Sequence, residues 1–391
     1  MKQGLEKKKL KEDLSKKILS SFKKNKFNFT DLDLLIDTNL LTERSGEQFK
    51  KFTLTYKDLF GKEISLRPDL TVSTALKYIQ EKKNKEEKYC YYGSAYRLDK
   101  DGDLKVFDQI GCEIINSYNN KSENILINSI LEPLKKIKNL EVILGDVGLF
   151  KILIESLELP ARWKLRLVKN FSRREYFEDM LKRLETNYDL DQQAIKLDTK
   201  RLKDLEKLNQ SSLIGGRAVS EIIKRFNKKI KDPRDDYKGK RNVKIIRDFL
   251  NINSSIQKAE STIVSFFSKN KLSNLSIKNY LKKISAIDKD IGKKYSINFK
   301  TNFGRNTDYY TGIVFLAYVK RNSKIIELAR GGEYNGLLRT LGYKKDIPAI
   351  GGAGRATTDG FSGACANCCQ RAARGGENCH CLTAGSGRKN S

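Results

Sequence analysis

Long apolar runs are absent: no segment of the 391 residues approaches the ~18–20 apolar residues that a membrane-spanning helix needs. The first stretch, MKQGLEKKKLKEDLSKK, also lacks the apolar centre of a secretory signal, so a cytoplasmic protein without a membrane partner is expected. Cysteine is scarce over most of the chain. Only Cys90 and Cys112 precede position 351, which excludes a disulfide framework there and fits a reducing compartment. Negative charge is outweighed, 48 Asp and Glu against 77 Lys and Arg, for a formal charge of +29. The lysines are nevertheless spread from Lys7 to Lys345 with no aromatic-interleaved stripe. They read first as solvated surface; an RNA footprint, with its steep salt dependence, is the weaker reading.

What is present supports a globular protein of two or three domains, with 39% hydrophobic residues and a sizeable core. Leu5, Leu10, Leu14, Ile18, Leu19 and Phe22 recur at helical spacing and predict an opening amphipathic helix. Alternation starting at Phe27 suits a strand. Phe49–Tyr56 and Glu63–Arg67 read as a hairpin stopped by Pro68, before helical periodicity over Thr71–Gln80. Tyr89–Leu98 and Leu104–Ile115 form a second pair, joined by Asp99 to Asp103. That linker opens like a calcium loop, but its twelfth position is Ile110 where a bidentate Glu is required, so it reads as a polar turn.

Glu123–Ile137 is expected as helix and Glu141–Leu144 as strand, with Gly145 to Gly148 leading into another helix. Pro160 to Ile291 reads as helix after helix without a convincing strand. Strands return at Ser296–Phe303, Thr311–Lys320 and Lys324–Arg330; Gly331-Gly332 is expected to break the chain before a short helix, and Ile347–Ile350 to form a last strand. This order predicts an α+β fold: a mainly antiparallel sheet flanked by helices, with a helical insertion. The expected division is a core over 1–158 and 293–351, a helical insertion over 159–292, and a divergent tail over 352–391.

One stretch concentrates chemistry. FGRNTDYYTGIVFLAY, Phe303–Tyr318, is apolar on both faces of a predicted strand, yet it carries Arg305, Asp308, Tyr309 and Tyr310 at its start. Alone these suit an internal ion pair with two amphipathic tyrosines. Beside LRPDLT (Leu66–Thr71), YYGSAYRLD (Tyr91–Asp99) with FDQIGCE (Phe107–Glu113), and GGEYNGLLRTLG (Gly331–Gly342) with IPAIG (Ile347–Gly351), they gain another meaning. In order and spacing these segments resemble the core of class II histidyl-tRNA synthetases and their paralogues, the ATP phosphoribosyltransferase regulatory subunits of histidine biosynthesis.

The resemblance implies a histidine site. Asp69 and Thr71 would hold the ammonium, the family usually having Glu at the first position; Gln109 and Glu113 would lie on the amino-acid side. Arg97 matches the arginine on the α-phosphate, Arg305 the one that meets the substrate carboxylate, and Tyr309 and Tyr310 would wall the imidazole. A zwitterion does need a carboxylate for its ammonium and a cation for its own carboxylate, and arginine offers a fork that lysine lacks.

Departures from the synthetase pattern favour the regulatory paralogue. Asp103 stands where an arginine for the ATP phosphates is expected, Thr358 stands at the arginine of motif 3, and a leucine replaces the motif 1 proline near Leu34 to Asp37. Gly312 matches the regulatory sequences. The 40 residues after Gly351 do not suit an anticodon-binding domain. The resemblance therefore implies a non-catalytic subunit: histidine as effector, a short-form ATP phosphoribosyltransferase catalytic subunit as partner, a homodimer within a hetero-oligomer, and no tRNA, metal or cofactor. A histidyl-tRNA synthetase, complete or truncated, is the alternative.

The last 40 residues change character abruptly. They contain no Ile or Val, one lysine, five cysteines and the only histidine of the chain, His380. Cys365, Cys368, Cys369, Cys379 and Cys381 with His380 are compatible with a thiolate zinc site. The reading preferred here is a frameshifted or chimeric end, which would put the motif 3 position outside the natural sequence.

Overall fold

In the computed structural model of the chain, the described residues are 15–39, 53–99, 101–119, 121–186, 192–209, 211–230, 236–305, 310–321 and 324–355. Asp308, Tyr309, Thr358 and the cysteine-rich tail, with its zinc-compatible cluster, lie outside them, as does the first part of the opening helix.

Helix α1 (15–24) leads into β1 (Asn28–Phe29), followed by a small sheet of β2 (Leu35–Asp37), β3 (Thr55–Lys57) and β4 (Glu63–Leu66), ordered β2-β4-β3. Then come α2 (Leu70–Gln80), the long hairpin β5 (Glu87–Leu98) and β6 (Leu104–Ile115), α3 (Ser122–Leu131), β7 (Glu141–Asp146) and α4 (Val147–Ser156). The helical stretch comprises α5 (Ala161–Lys169), α6 (Arg174–Thr186), α7 (Gln192–Glu206), a two-residue hairpin β8 (Leu213–Ile214) with β9 (Arg217–Ala218), α8 (Val219–Ile230), α9 (Asp236–Leu250), strand β10 (Asn253–Ser255), α10 (Ile256–Lys269) and α11 (Lys278–Ile287). The chain closes with β11 (Ser296–Lys300), β12 (Ile313–Arg321), β13 (Lys324–Glu333), α12 (Leu337–Thr340) and β14 (Ala349–Arg355).

Nine strands make one sheet in the order β1-β5-β6-β14-β13-β12-β7-β11-β10. Only β1 with β5 and β11 with β7 pair in parallel; the other neighbours are antiparallel. Strands met late in the sequence fill the middle of the sheet, because β12, β13 and β14 insert between β7 and β6.

The helical stretch differs from expectation in its strands. It contains β8, β9 and β10, and β10 extends the main sheet by pairing with β11. Its buried side chains, Trp163, Phe177, Phe249, Phe267 and Ile284, also share one hydrophobic cluster with Cys90, Cys112, Ile130 and Phe315 of the sheet and its covering helix. They therefore form a layer against the sheet.

The expected break at Gly331-Gly332 is absent: β13 runs through both. A Cβ on Gly331 would lie 2.2 Å from the Gly351 carbonyl oxygen, and one on Gly332 2.7 Å from that of Ile313. These glycines permit close strand packing. The polar turn is as expected, with the Asp99 carboxylate accepting from the amides of Asp101 and Asp103 at 3.0 and 2.9 Å. Among the described residues no helix is long and apolar enough to cross a membrane.

Candidate functional site

Cross-strand register aligns one row of residues across five strands: Val314, Gly332, Gly351, Glu113 and Tyr89. Because side chains alternate faces along a strand, Gly111, Gln109 and Phe107 of β6 share the face of Glu113, as do Tyr91 and Arg97 of β5 and Arg355 of β14. Helix α2 lies over this face. Pro68 ends the preceding extended segment, and Asp69 then caps the helix, its Oδ1 accepting from the Val72 amide at 2.8 Å. Gln109 rises from the sheet to accept from the Leu70 amide at 3.0 Å.

Glu113 is the centre. It is fully buried, and its Oε1 accepts from Thr71 Oγ1 and from the Tyr91 hydroxyl, both at 2.8 Å, while Oε2 accepts from the Tyr334 hydroxyl at 2.5 Å. Burial pushes its pKa up to about 7, opposed by the three hydroxyl donors and reinforced by the nearby Asp69 carboxylate. A Cβ on Gly351 would sit 1.3 Å from Oε2, so only glycine leaves room for this carboxylate. Tyr310 is buried with its ring 3.0 Å from where a Cβ on Gly332 would be, one strand beyond Gly351 in the same row.

The opposite end of this face is cationic. Arg97 donates from Nε to the Pro68 carbonyl at 2.7 Å and places Nη2 3.9 Å from Asp69 Oδ2. Its guanidinium carbon is 5.2 Å from the Phe107 ring centre, and that of Arg355 is 4.6 Å from the same ring. Phe107 and Glu113 are six positions apart on the strand, about 20 Å at ~3.3 Å per residue. The face thus offers a carboxylate at one end, two guanidinium groups at the other, and Gln109 between them.

Asp69, Thr71, Arg97, Gln109 and Glu113 therefore lie along one face, Arg97 at the end away from Glu113, and Tyr310 stands beside the glutamate. Arg305 is placed differently. Its Nε donates to the Phe171 carbonyl at 2.9 Å, and its guanidinium lies 4.7 and 4.6 Å from the ring centres of Phe171 and Phe177 in the helical layer. Burial lowers its pKa.

Sequence reasoning did not assign Tyr91 and Tyr334, although both lie inside quoted motifs. Two-residue periodicity from Arg97 would have put Tyr91 on the right face; Tyr334 carried no such signal. A charge cluster on the other face was missed entirely. Lys283 Nζ lies 2.6 Å from Glu123 Oε1 and 2.8 Å from Glu333 Oε1, with both glutamates buried. Behind them Asp146 is fully buried with its Oδ2 lacking a hydrogen-bond partner, and burial followed by the Glu333 charge raises its pKa to about 8. A cavity of about 200 Å³ beside the cluster is lined by Ser117, Ser122 and Asn335 among others.

The family model described as histidyl-tRNA synthetase matches residues 4–357. The chain belongs to this family. Within it, curated relatives named ATP phosphoribosyltransferase regulatory subunit include one from Rhizobium rhizogenes, 24% identical over 361 residues, covering 87% of this chain and 94% of that protein. Another, from Rhizobium leguminosarum bv. trifolii, is 26% identical over 355 residues, covering 85% and 93%. Among solved structures, an ATP phosphoribosyltransferase regulatory subunit/histidyl-tRNA synthetase from Bacillus halodurans superposes with a TM-score of 0.60 at 15% identity, over 91% of this chain and 79% of that one. The ATP phosphoribosyl transferase (HisG:HisZ) complex from Thermotoga maritima contains a chain with a TM-score of 0.52 at 18% identity, over 89% and 97%. These likenesses establish the class II synthetase-like fold of the histidyl-tRNA synthetase family.

Proposed function

We propose that the chain is a non-catalytic regulatory subunit of ATP phosphoribosyltransferase, the first step of histidine biosynthesis, and that it binds histidine and activates or feedback-regulates a short catalytic subunit. Glu113 carries the histidine part of this reading. A buried carboxylate fixed by three hydroxyl donors is preorganised for a basic group, an amino-acid ammonium or an imidazole N–H, and its low-dielectric setting strengthens that contact. Asp69 and Gln109 lie on the same side. The relatives' shared name supports the partner.

Histidine would regulate through unequal affinity for the active and inhibited assemblies, and the partner would alter histidine affinity reciprocally. A homodimer within the hetero-oligomer suits the half-exposed Leu35 and Tyr56 on the small sheet, with Leu34 just before it. Mixing the purified chain with a short catalytic subunit and following phosphoribosyl-ATP formation, with and without histidine, tests the proposal.

A second reading, a histidine–tRNA ligase, draws on one observation: Arg97 and Arg355 both lie over the Phe107 ring, two cations at one end of the face, although Arg355 falls within the stretch read as a divergent tail. Against it, the position where the resemblance expects an arginine for the ATP phosphates is Asp103, an exposed carboxylate in the β5–β6 turn paired with Lys105 at 3.5 Å. Histidine-dependent exchange of pyrophosphate into ATP separates the two readings.

A further inference from the structure

Arg305 is the cation expected to meet a ligand carboxylate, yet the helical layer holds it. The guanidinium contacts two phenylalanine rings and donates to a backbone carbonyl 134 residues away in sequence. Its Nη2 is buried with no hydrogen-bond partner. The charges acting on it, Glu178 and Arg174, belong to the same layer. Phe171 is in turn stacked on Phe150 of α4, with ring centres 3.8 Å apart and planes within 9°.

The backbone beside Arg305 is equally constrained. Gly304 has φ +93°, and a Cβ there would lie 2.9 Å from Val147 Cγ2 and 3.0 Å from Val314 Cγ2. Val147 also donates its amide to the Gly312 carbonyl at 3.0 Å. Val314 belongs to the register row that reaches Glu113 through Gly332 and Gly351. A continuous packed path therefore runs from Phe171 and Phe177 through Arg305 and Gly304 to β12 and the site.

We propose that Arg305 is a positioning residue that ties the start of β12 to the aromatic cluster of the helical layer, so that packing around Phe171 and Phe177 sets the geometry of the ligand site. This deepens the histidine-binding reading and rests on it only for the ligand. In a regulatory subunit, a partner docked on the helical layer would act on the site through this tie. Such a route is physical only if both ends bias the same element.

The test is hydrogen–deuterium exchange on the full chain, comparing wild type with Phe177→Leu, which removes one face of the cage but keeps an apolar side chain. Faster exchange is expected over 310–316 as well as 171–186, with L-histidine affinity lowered about five-fold, the low end of typical couplings between sites. Faster exchange confined to 171–186, with 310–316 and affinity unchanged, overturns the proposal. Should Phe177→Leu lose its cooperative melt, Arg305→Lys serves instead: it keeps the charge, loses the planar stacking and the Nε donor, and should loosen both segments. Loss of histidine binding in Arg305→Lys without any change over 310–316 would make Arg305 a ligand cation and sink the tie. If the wild type binds no histidine, the histidine reading fails, while the exchange comparison still decides the tie.

Discussion

Tyr334 donates a 2.5 Å hydrogen bond to Glu113 across 221 positions of sequence, joining the residue after β13 to the buried C-terminal part of β6. Tyr334→Phe removes the donor to Oε2 and leaves a buried acceptor unmatched, which costs about 1–3 kcal/mol. The Glu113 pKa should rise further, because one of the bonds holding it down is gone. Urea unfolding checks the first effect and a carboxyl-carbon NMR titration the second.

Gly351→Ala should be more damaging than its size suggests. Its methyl group would overlap Glu113 Oε2, so the carboxylate must leave its three donors or the strands must part, at a cost above about 2 kcal/mol. Gly336→Ala is the control, since a Cβ there meets nothing within 4 Å. Thermal melts of the two variants should separate clearly, with Gly336→Ala close to wild type.

The buried carboxyls fix the sign of the pH dependence. Glu113 moves from 4.5 unfolded to about 7 folded, and Asp146 from 3.8 to about 8. Each binds its proton more tightly when folded, so its stabilisation is full below the unfolded value and is lost as pH rises through the folded one. The midpoint of unfolding should therefore fall between about pH 4 and pH 8. Glu113→Gln should flatten part of that slope, on the order of 3 kcal/mol over the window. A slope unchanged in Glu113→Gln would exclude a raised Glu113.

Lys283 is the one cation between Glu123 and Glu333 among the described contacts. Lys283→Met leaves two buried carboxylates facing each other and should destabilise by about 3 kcal/mol, somewhat reduced because the ammonium keeps part of its exposure. Adding Glu333→Gln should restore part of the loss. A double-mutant cycle in urea measures that coupling.

Much of the sheet was legible because two-residue alternation and turn chemistry act locally: the β5–β6 hairpin and α2 fall within a residue or two of expectation. Glycine was misread at Gly331-Gly332, since a Cβ clash with a strand met only later in the chain is not written into local propensity. The strand β10 was missed for the same reason, being three polar residues ordered by β11. Motif resemblance picked out Asp69, Thr71, Arg97, Gln109 and Glu113, which share one face of the sheet and the helix start above it, but not the direction in which Arg305 points. Its cage is made by Phe171 and Phe177, residues of a helical stretch without a motif. Tyr334 and Lys283 were invisible for a related reason, as their partners lie 221 and 160 positions away, the latter being the separation of Lys283 from Glu123.

Histidine recognised at Glu113 should regulate a catalytic partner through that site. Isothermal titration of L-histidine into wild type and Glu113→Gln, each alone and mixed with a short ATP phosphoribosyltransferase catalytic subunit, tests it most directly. Saturable binding to wild type, binding lost in Glu113→Gln, and an affinity shifted by the partner are expected. Equal binding by both proteins, or no binding by a folded wild type in either state, would contradict it.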